Sequence, residues 1–300
     1  MNSTASNPGG ALIELEAKAK INLSLRVLRK REDGFHEIET RMVPLEGVTD
    51  TVRVERVSGA DGAVEVRCSE PGVPLDESNL VVIAVRALEK RLGRELPSLR
   101  ISLEKQIPTG GGLGGGSSDA AAVLEAANQL FALKLQKEDL AAVAGEIGSD
   151  VPFFIYGVPC DCSGRGELVI PLGESDRPAL PDTLLVKLPF GVETPSAYRR
   201  WMDSKNIPGV PYDSQETVAG SLVNDLERPV FEKFPVLAEL KMWLLDQPEV
   251  SAALMSGSGA TVFAFLDPNV GSGLESRICE HFGADVWLAR SGPGTLENRS

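Results

Sequence analysis

Between Ile107 and Asp119 the chain reads Ile-Pro-Thr-Gly-Gly-Gly-Leu-Gly-Gly-Gly-Ser-Ser-Asp, with six glycines in the seven residues 110–116. Residues without a Cβ let successive backbone N–H groups turn inward. A helix starting here would aim the positive end of its dipole at the same point. Such a segment is an anion cradle suited to a polyphosphate, and Ser117 and Ser118 add hydroxyls where a phosphate or Mg²⁺ would sit. Gly-Ser runs are also what flexible linkers are made of. A linker, however, would not pass directly from an alternating strand into an apolar-striped helix. Gly110, Gly112 and Gly115 formally satisfy G-x-G-x-x-G, but a dinucleotide fold opens a βαβ unit with that loop, and here several strands and a helix come first. The Walker form requires a lysine before Ser/Thr, which is lacking. The segment is a phosphate loop of neither common type.

Other reactive residues are few. The four cysteines, Cys68, Cys160, Cys162 and Cys279, contain no C-x-x-C, so neither a zinc site nor a disulfide framework is expected. The two histidines, His36 and His281, cannot build a multi-histidine metal centre, and no G-x-S-x-G elbow supplies a hydrolase serine. Asp150 follows a helix-stopping Gly148 and precedes Pro152, so it belongs on a fixed turn. A carboxylate there is in most chains a turn residue, but it also suits a general base aimed into a cleft. Lys20 and Asn22 share the parity opposite the apolar residues of their strand, where a solvated lysine is the ordinary outcome. Lys105, just before the loop, could pair with a nucleotide phosphate or simply be solvated. Phe35-His36 follows an Asp33-Gly34 turn, a pattern that usually means a packed ring beside a surface imidazole.

Three hundred residues predict one or two domains. A hydrophobic fraction of 42% with 24% charged residues excludes global disorder. No apolar run reaches the length of a membrane helix, and residues 1–10 resemble neither a signal nor a transit peptide. A net charge of −13 argues against non-specific nucleic-acid binding and against a membrane surface. A cytoplasmic protein is expected.

The elements that must hold these residues follow from periodicity. Ile21, Leu23, Leu25 and Val27 alternate as a half-buried strand should. Val52 and Val54, then Val64 and Val66, alternate on either side of 58–62, which predicts a hairpin. Leu99, Ile101 and Leu103 mark a further strand. Helical stripes run from Leu80 to Leu88 behind an Asn79 cap, from Ala120 to Phe131, and from Leu140 to Ile147. A polar, proline-rich stretch at 173–181 suggests a boundary, dividing the chain into domains 12–178 and 179–290 with flexible tails at 1–11 and 291–300. Beyond the boundary the order is strand (183–188), helices opened by a Thr194 cap and Pro195, strands (250–255 and 260–266), helix, strand (284–288). This β-α-β-β-α-β order is ferredoxin-like, with an extra helix. The fold class is α+β.

The segment Pro108 to Ser118 resembles the phosphate loop of the galactokinase, homoserine kinase, mevalonate kinase and phosphomevalonate kinase (GHMP) superfamily. Three further stretches, 17–23, 31–36 and 148–154, are similar to the family within it that phosphorylates the 2-hydroxyl of 4-diphosphocytidyl-2-C-methyl-D-erythritol in the non-mevalonate isoprenoid pathway. A fourth, 254–260, resembles the superfamily's C-terminal glycine motif. The resemblance implies a ribosomal-protein-S5-like N-terminal domain and a ferredoxin-like C-terminal domain, with the active site in the cleft between them. It implies Asp150 as base and Lys20 as its cationic partner. ATP, accompanied by Mg²⁺, would be held by Lys105, Pro108, Gly110, Gly111, Gly112, Leu113, Gly114, Gly115, Gly116, Ser117 and Ser118. The substrate would be held by Asn22, Phe35, His36, Thr194, Tyr198, Gly257, Ser258 and Gly259. Phe35 stands where the family usually has Tyr, which preserves stacking on cytosine and removes a phenol hydroxyl. Tyr198 matches the second stacking aromatic, and His36 the reader of the base edge. No metal ligand can be named. The partner is a small molecule, with neither nucleic acid nor membrane involved. Two other readings are a homoserine- or mevalonate-type kinase, which would not need Phe35-His36, and a non-catalytic nucleotide-binding module, which would need neither Lys20 nor Asp150.

Overall fold

The computed structural model describes residues 11–268 and 273–292. In chain order the first elements are β1 (Leu12–Lys30), β2 (His36–Arg56), β3 (Val64–Cys68), α1 (Leu80–Leu92), β4 (Leu99–Glu104), α2 (Gly115–Leu130), α3 (Lys137–Ile147), α4 (Val151–Tyr156), β5 (Cys160–Ser163) and β6 (Leu168–Pro171). They are followed by β7 (Thr183–Lys187), α5 (Thr194–Arg200), β8 (Gln215–Thr217), β9 (Gly220–Asn224), α6 (Glu227–Lys233), α7 (Pro235–Leu245), β10 (Val250–Met255), β11 (Thr261–Leu266), α8 (Leu274–Phe282) and β12 (Trp287–Ser291). Among the described residues, no helix is long and apolar enough to cross a membrane.

Packing does not divide the chain by a single cut after 178. One unit holds 11–17, 50–105 and 116–155; the other holds 18–49, 106–115 and 156 onwards. The reason is that β1 and β2, at 19 and 21 residues, are several times longer than an ordinary strand and serve both units. No composition shift marks such an exchange. The tails expected at 1–11 and 291–300 lie almost wholly outside the described residues; Ser291, however, is the buried last residue of β12.

The first unit packs α1, α2 and α3 on β2, β3 and β4 around a core of Val52, Val54, Leu88, Ile101, Val123 and Val143. Asn79 caps α1 as its sequence predicts, accepting from the Val81 N–H at 3.0 Å, an interaction worth about 1 kcal/mol. The hairpin expected around 58–62 does not form. β4 pairs antiparallel with β2 (Thr51–Arg56) and parallel with β3, so it separates the two strands that were to pair. The intervening loop is tied to the approach to β4 instead, with Val57 N–H donating to Ser98 O and Gly62 N–H to Leu96 O. A turn signature reports a change of direction, and the identity of the neighbouring strand is a long-range choice.

The second unit contains the four-stranded antiparallel sheet β10-β11-β7-β12, in the expected ferredoxin-like order. Both faces are buried, and alternation divides them. Leu184, Val186, Val262, Ala264 and Met255 meet the apolar faces of α5, α6, α7 and α8. Leu185, Phe263, Phe265 and Leu254 meet Ile21, Leu23, Val43 and Leu45 of β1 and β2. At roughly 1.5–3 kcal/mol for each fully buried large side chain, these two layers dominate the stability of the unit. β8 and β9, invisible to periodicity because they are short, form a hairpin whose second strand runs parallel to β1 at Ser24–Leu25. β12 begins three residues later than expected, at Trp287. The cap of α5 is Glu193 rather than Thr194, and the Thr194 hydroxyl is used elsewhere, as described below.

A buried ion pair fixes one end of this sheet. Lys241 Nζ donates to Glu227 Oε2 at 2.6 Å and to Pro211 O at 2.9 Å, while Glu227 Oε1 accepts from the Met255 N–H at 3.0 Å. Lys241→Met should therefore destabilise the protein by about 3–5 kcal/mol, because it leaves a carboxylate buried without its counter-charge. The double variant Lys241→Met/Glu227→Leu should recover a large part of that loss. Urea unfolding of both variants checks this; equal losses would show that the pair is not the cause.

Candidate active site

The phosphate loop is held by backbone bonds and by one apolar anchor. Leu113 is fully buried in the second core, and the Lys20 N–H donates to Leu113 O at 2.9 Å. Gly110, Gly112 and Gly114 have φ of +64°, +73° and +75°. Left-handed φ at every second residue is the alternation that turns successive N–H groups to one side, as an anion nest requires. Gly112 has a second reason to lack a side chain, since a Cβ there would lie 2.2 Å from Ser256 O. The turn at 256–259 and the loop are joined at that point. Ser256 Oγ donates to Gly112 O at 3.0 Å, Ala260 N–H to Gly110 O at 3.2 Å and Thr261 N–H to Gly111 O at 3.1 Å. Asn224 Nδ2 holds the turn from behind, donating to Met255 O and Gly257 O at 2.7 and 2.8 Å. Gly115 and Gly116 are already the start of α2, with Ser117 half-buried and Ser118 buried.

Lys20 and Asn22 do lie opposite the apolar parity of β1, but they are not solvated: each is 3% exposed. Lys20 Nζ donates to Asn22 Oδ1 at 2.6 Å, Asn22 Nδ2 to Thr40 Oγ1 at 2.8 Å, and Thr40 Oγ1 to Ser24 O at 2.6 Å. This relay fixes the ammonium. Gly257 closes over it, for a Cβ at Gly257 would stand 3.2 Å from Lys20 Nζ, 3.3 Å from Asn22 Oδ1 and 3.2 Å from Gly112 O. Residues from three separated motifs therefore meet at one point. Ser258 Oγ and Thr194 Oγ1 are 2.8 Å apart, which accounts for the hydroxyl that does not cap α5.

The pair after the Asp33-Gly34 turn inverts the usual pattern: Phe35 is 49% exposed and His36 is 8% exposed. Tyr198 stacks on the His36 imidazole (centroids 5.4 Å apart, planes at 25°), and Trp201 meets it edge-on at 6.1 Å. The Arg165 guanidinium lies 4.7 Å over the Phe35 ring. Burial, with the Lys30 charge adding to it, holds the His36 pKa below the ordinary imidazole value. At neutral pH the ring is therefore uncharged, offering one N–H donor and one lone pair.

Asp150 and Lys105 belong to the other unit. Asp150 is half-buried on the turn between α3 and α4, which is closed by Val151 N–H donating to Gly148 O at 3.3 Å. Helix α4 had gone unread because Pro152 suggests a break, whereas a proline in the first turn of a helix is tolerated. Lys105 is not solvated. Its side chain is 5% exposed and its ammonium contacts Asp50 and, at 2.5 Å, Asp119 Oδ2. Burial, with the neighbouring Asp50 charge assisting and Lys105 opposing, pushes the Asp119 carboxyl up to about 7.

Thr40, Trp201 and Arg165 were missed in the sequence. Only Trp201 left a signal, lying three residues beyond Tyr198 on the same helical face. Thr40 and Arg165 reach the site through strand pairing and a turn.

Known proteins resemble this chain over most of its length. The model of the GHMP kinases N-terminal domain matches residues 79–158, and that of the GHMP kinases C-terminal domain matches 214–284, one on each side of the polar stretch at 173–181. A 4-diphosphocytidyl-2-C-methyl-D-erythritol kinase of Methylacidiphilum infernorum is 38% identical over 275 residues, covering 91% of this chain and 93% of its own. A crystal structure of a 4-(cytidine 5'-diphospho)-2C-methyl-D-erythritol kinase superposes with a TM-score of 0.69 at 34% identity, over 94% of this chain and all of that one. A homoserine kinase from Cytophaga hutchinsonii, at 20% identity and a TM-score of 0.64 over 97% of each chain, shares the fold. The chain belongs to the GHMP kinases and, among them, to the family of the 4-diphosphocytidyl-2-C-methyl-D-erythritol kinases.

Proposed function

We propose that this chain transfers the γ-phosphoryl group of ATP to the 2-hydroxyl of 4-diphosphocytidyl-2-C-methyl-D-erythritol, a cytoplasmic step on the non-mevalonate route to isoprenoid precursors. The observation that carries this reading is the meeting of the phosphate loop and the 256–259 turn over the Lys20–Asn22 pair. A binding module has no use for a buried, oriented ammonium beside its phosphate loop.

Phosphoryl transfer requires an activated hydroxyl, a held polyphosphate and positive charge at the transferring oxygens. Asp150 accepts the proton of the acceptor hydroxyl. Lys20, oriented by Asn22, stabilises negative charge that develops during transfer. The N–H groups of 110–116 and the hydroxyls of Ser117 and Ser118 hold the phosphates. Mg²⁺ accompanying ATP would be met by the hydroxyls of Ser117 and Ser118 at the start of α2 and would neutralise charge on the phosphate oxygens. Phe35, His36 and Tyr198 take the cytosine, with stacking on Phe35 and reading of the base edge by the neutral imidazole. Thr194, Ser258 and the backbone of Gly257 and Gly259 hold the remainder of the substrate. The Phe35-His36 reader favours the cytidyl substrate over homoserine or mevalonate.

Asp150→Asn should leave ATP and substrate binding nearly intact and lower kcat by about 10²-fold or more. Turnover within a few fold of the parent in steady-state assays would remove Asp150 from the mechanism.

The loop glycines separate a packing role from a phosphate role. Gly112→Ala should destabilise the fold by roughly 2 kcal/mol or more, since it combines a left-handed φ with a backbone clash. At Gly116 a Cβ would meet only Leu80 Cδ1 at 3.5 Å. Gly116→Ala should keep the melting temperature and raise the KM for ATP, because the methyl group intrudes where phosphate approaches. A stable Gly116→Ala with parental KM would detach that residue from the nucleotide.

Losing one stacking ring costs ~1–3 kcal/mol in base recognition, so Phe35→Ala and Tyr198→Ala should raise the KM for the cytidyl substrate roughly ten- to a hundredfold with a smaller change in kcat. His36→Ala should erode the preference over a uridyl analogue more than Phe35→Ala does. Because the folded pKa of His36 lies below its unfolded value near 6.5, the native state binds fewer protons than the unfolded chain. Stability from this group is full above that value and is lost as the pH falls through 6.5 towards the folded pKa. Kinetics on both substrates, and melting curves with and without His36 between pH 5 and 8, test these points. Parental KM and preference in all three variants would assign the chain a different alcohol.

A further inference from the structure

Two buried polar side chains lie at the end of the sheet beneath the phosphate loop. β7 and β11 pair with Thr261 opposite Lys187, Phe263 opposite Leu185 and Phe265 opposite Thr183. The parity that buries Leu185, Phe263 and Phe265 thus presents Lys187 and Thr261 at the loop. Both are buried, Thr261 completely and Lys187 to 8% exposure. They lie directly against Gly111, for a Cβ there would stand 3.0 Å from Thr261 Oγ1 and 3.3 Å from Lys187 Cδ.

Neither polar group is accounted for by the protein around it. Thr261 Oγ1 is buried without a hydrogen-bond partner. Lys187 Nζ donates to the carbonyl of Leu188 at 3.2 Å; among the described residues no carboxylate forms an ion pair with it, and burial alone pushes its pKa down. Two other buried lysines show the usual arrangement, Lys241 paired with Glu227 and Lys105 with Asp50 and Asp119. Burying an ammonium without a counter-charge is costly unless an anion arrives to pair with it. A valine or methionine would fill position 187 more cheaply if the loop needed only packing.

We propose that Lys187 is a further phosphate-positioning residue of this kinase, its ammonium and the Thr261 hydroxyl together engaging the polyphosphate of the nucleotide at Gly111. The inference rests on the ATP reading above and adds to it a residue that lies far in sequence from the glycine loop. It also predicts an opposition between stability and function, because the group that holds the anion is an uncompensated charge in its absence.

The test uses the full chain with ADP and adenosine as probes, and the variants Lys187→Met and Thr261→Val. Without nucleotide, Lys187→Met should melt at or above the parental temperature. Its affinity for ADP, by calorimetry, should fall ten- to a hundredfold, while its affinity for adenosine stays within about twofold. Thr261→Val, which conserves shape, should lose a few fold towards ADP alone. Parental affinity for ADP in Lys187→Met would overturn the proposal. So would a lowered melting temperature with equal losses towards ADP and adenosine, which would mark Lys187 as a structural residue. If the parent itself binds neither probe, the ATP reading fails and this inference with it.

Discussion

The backbone contact between Gly112 and the 256–259 turn is the constraint on which the site depends. The two segments approach so closely that no side chain fits at Gly112, and three hydrogen bonds hold them there. That contact gives the loop its shape, brings Gly257 over Lys20 and Asn22, and places Lys187 and Thr261 under Gly111. The turn is in turn held by Asn224 and by the Glu227–Lys241 pair, so that interactions well behind the site decide where its backbone lies. A phosphate loop made of glycine has no side chains with which to define its own conformation. Its rigidity is supplied from outside.

Apart from Lys187, the buried lysines of the described residues are held in different ways. Lys241 is matched one-to-one with Glu227. Lys105 is shared between two carboxylates, an arrangement with one acid in excess, and Asp119 responds with a raised pKa and an oxygen left without a partner. Lys20 Nζ donates to the amide oxygen of Asn22, which is itself anchored on Thr40. The first two arrangements bind the fold together, and the third fixes where the ammonium sits.

The aromatic cluster shows why exposure is informative in both directions. A large ring on a turn at half exposure, next to an imidazole packed between Tyr198 and Trp201, is the reverse of what packing alone favours. Stacking fixes the imidazole plane, and burial keeps the ring uncharged at neutral pH. An edge that reads a base needs both properties.

Much of this protein was legible in its residues. The glycine run, the Asn79 cap, the parity of Lys20 and Asn22 and the ferredoxin-like order of the second half all follow from local rules, in which a residue's neighbours along the chain decide its conformation. What local rules could not reach were choices of partner. Whether β3 pairs β2 or β4, whether Thr194 caps a helix or meets Ser258, and whether Lys105 is solvated or meets two carboxylates depend on groups that lie far away in sequence. Two long strands shared by both units defeat any boundary drawn from composition. Lys187 is the sharpest case: in sequence it is one lysine at the end of an apolar strand. Only the register of β7 on β11 and the passage of the loop above them make it a buried charge beside a glycine.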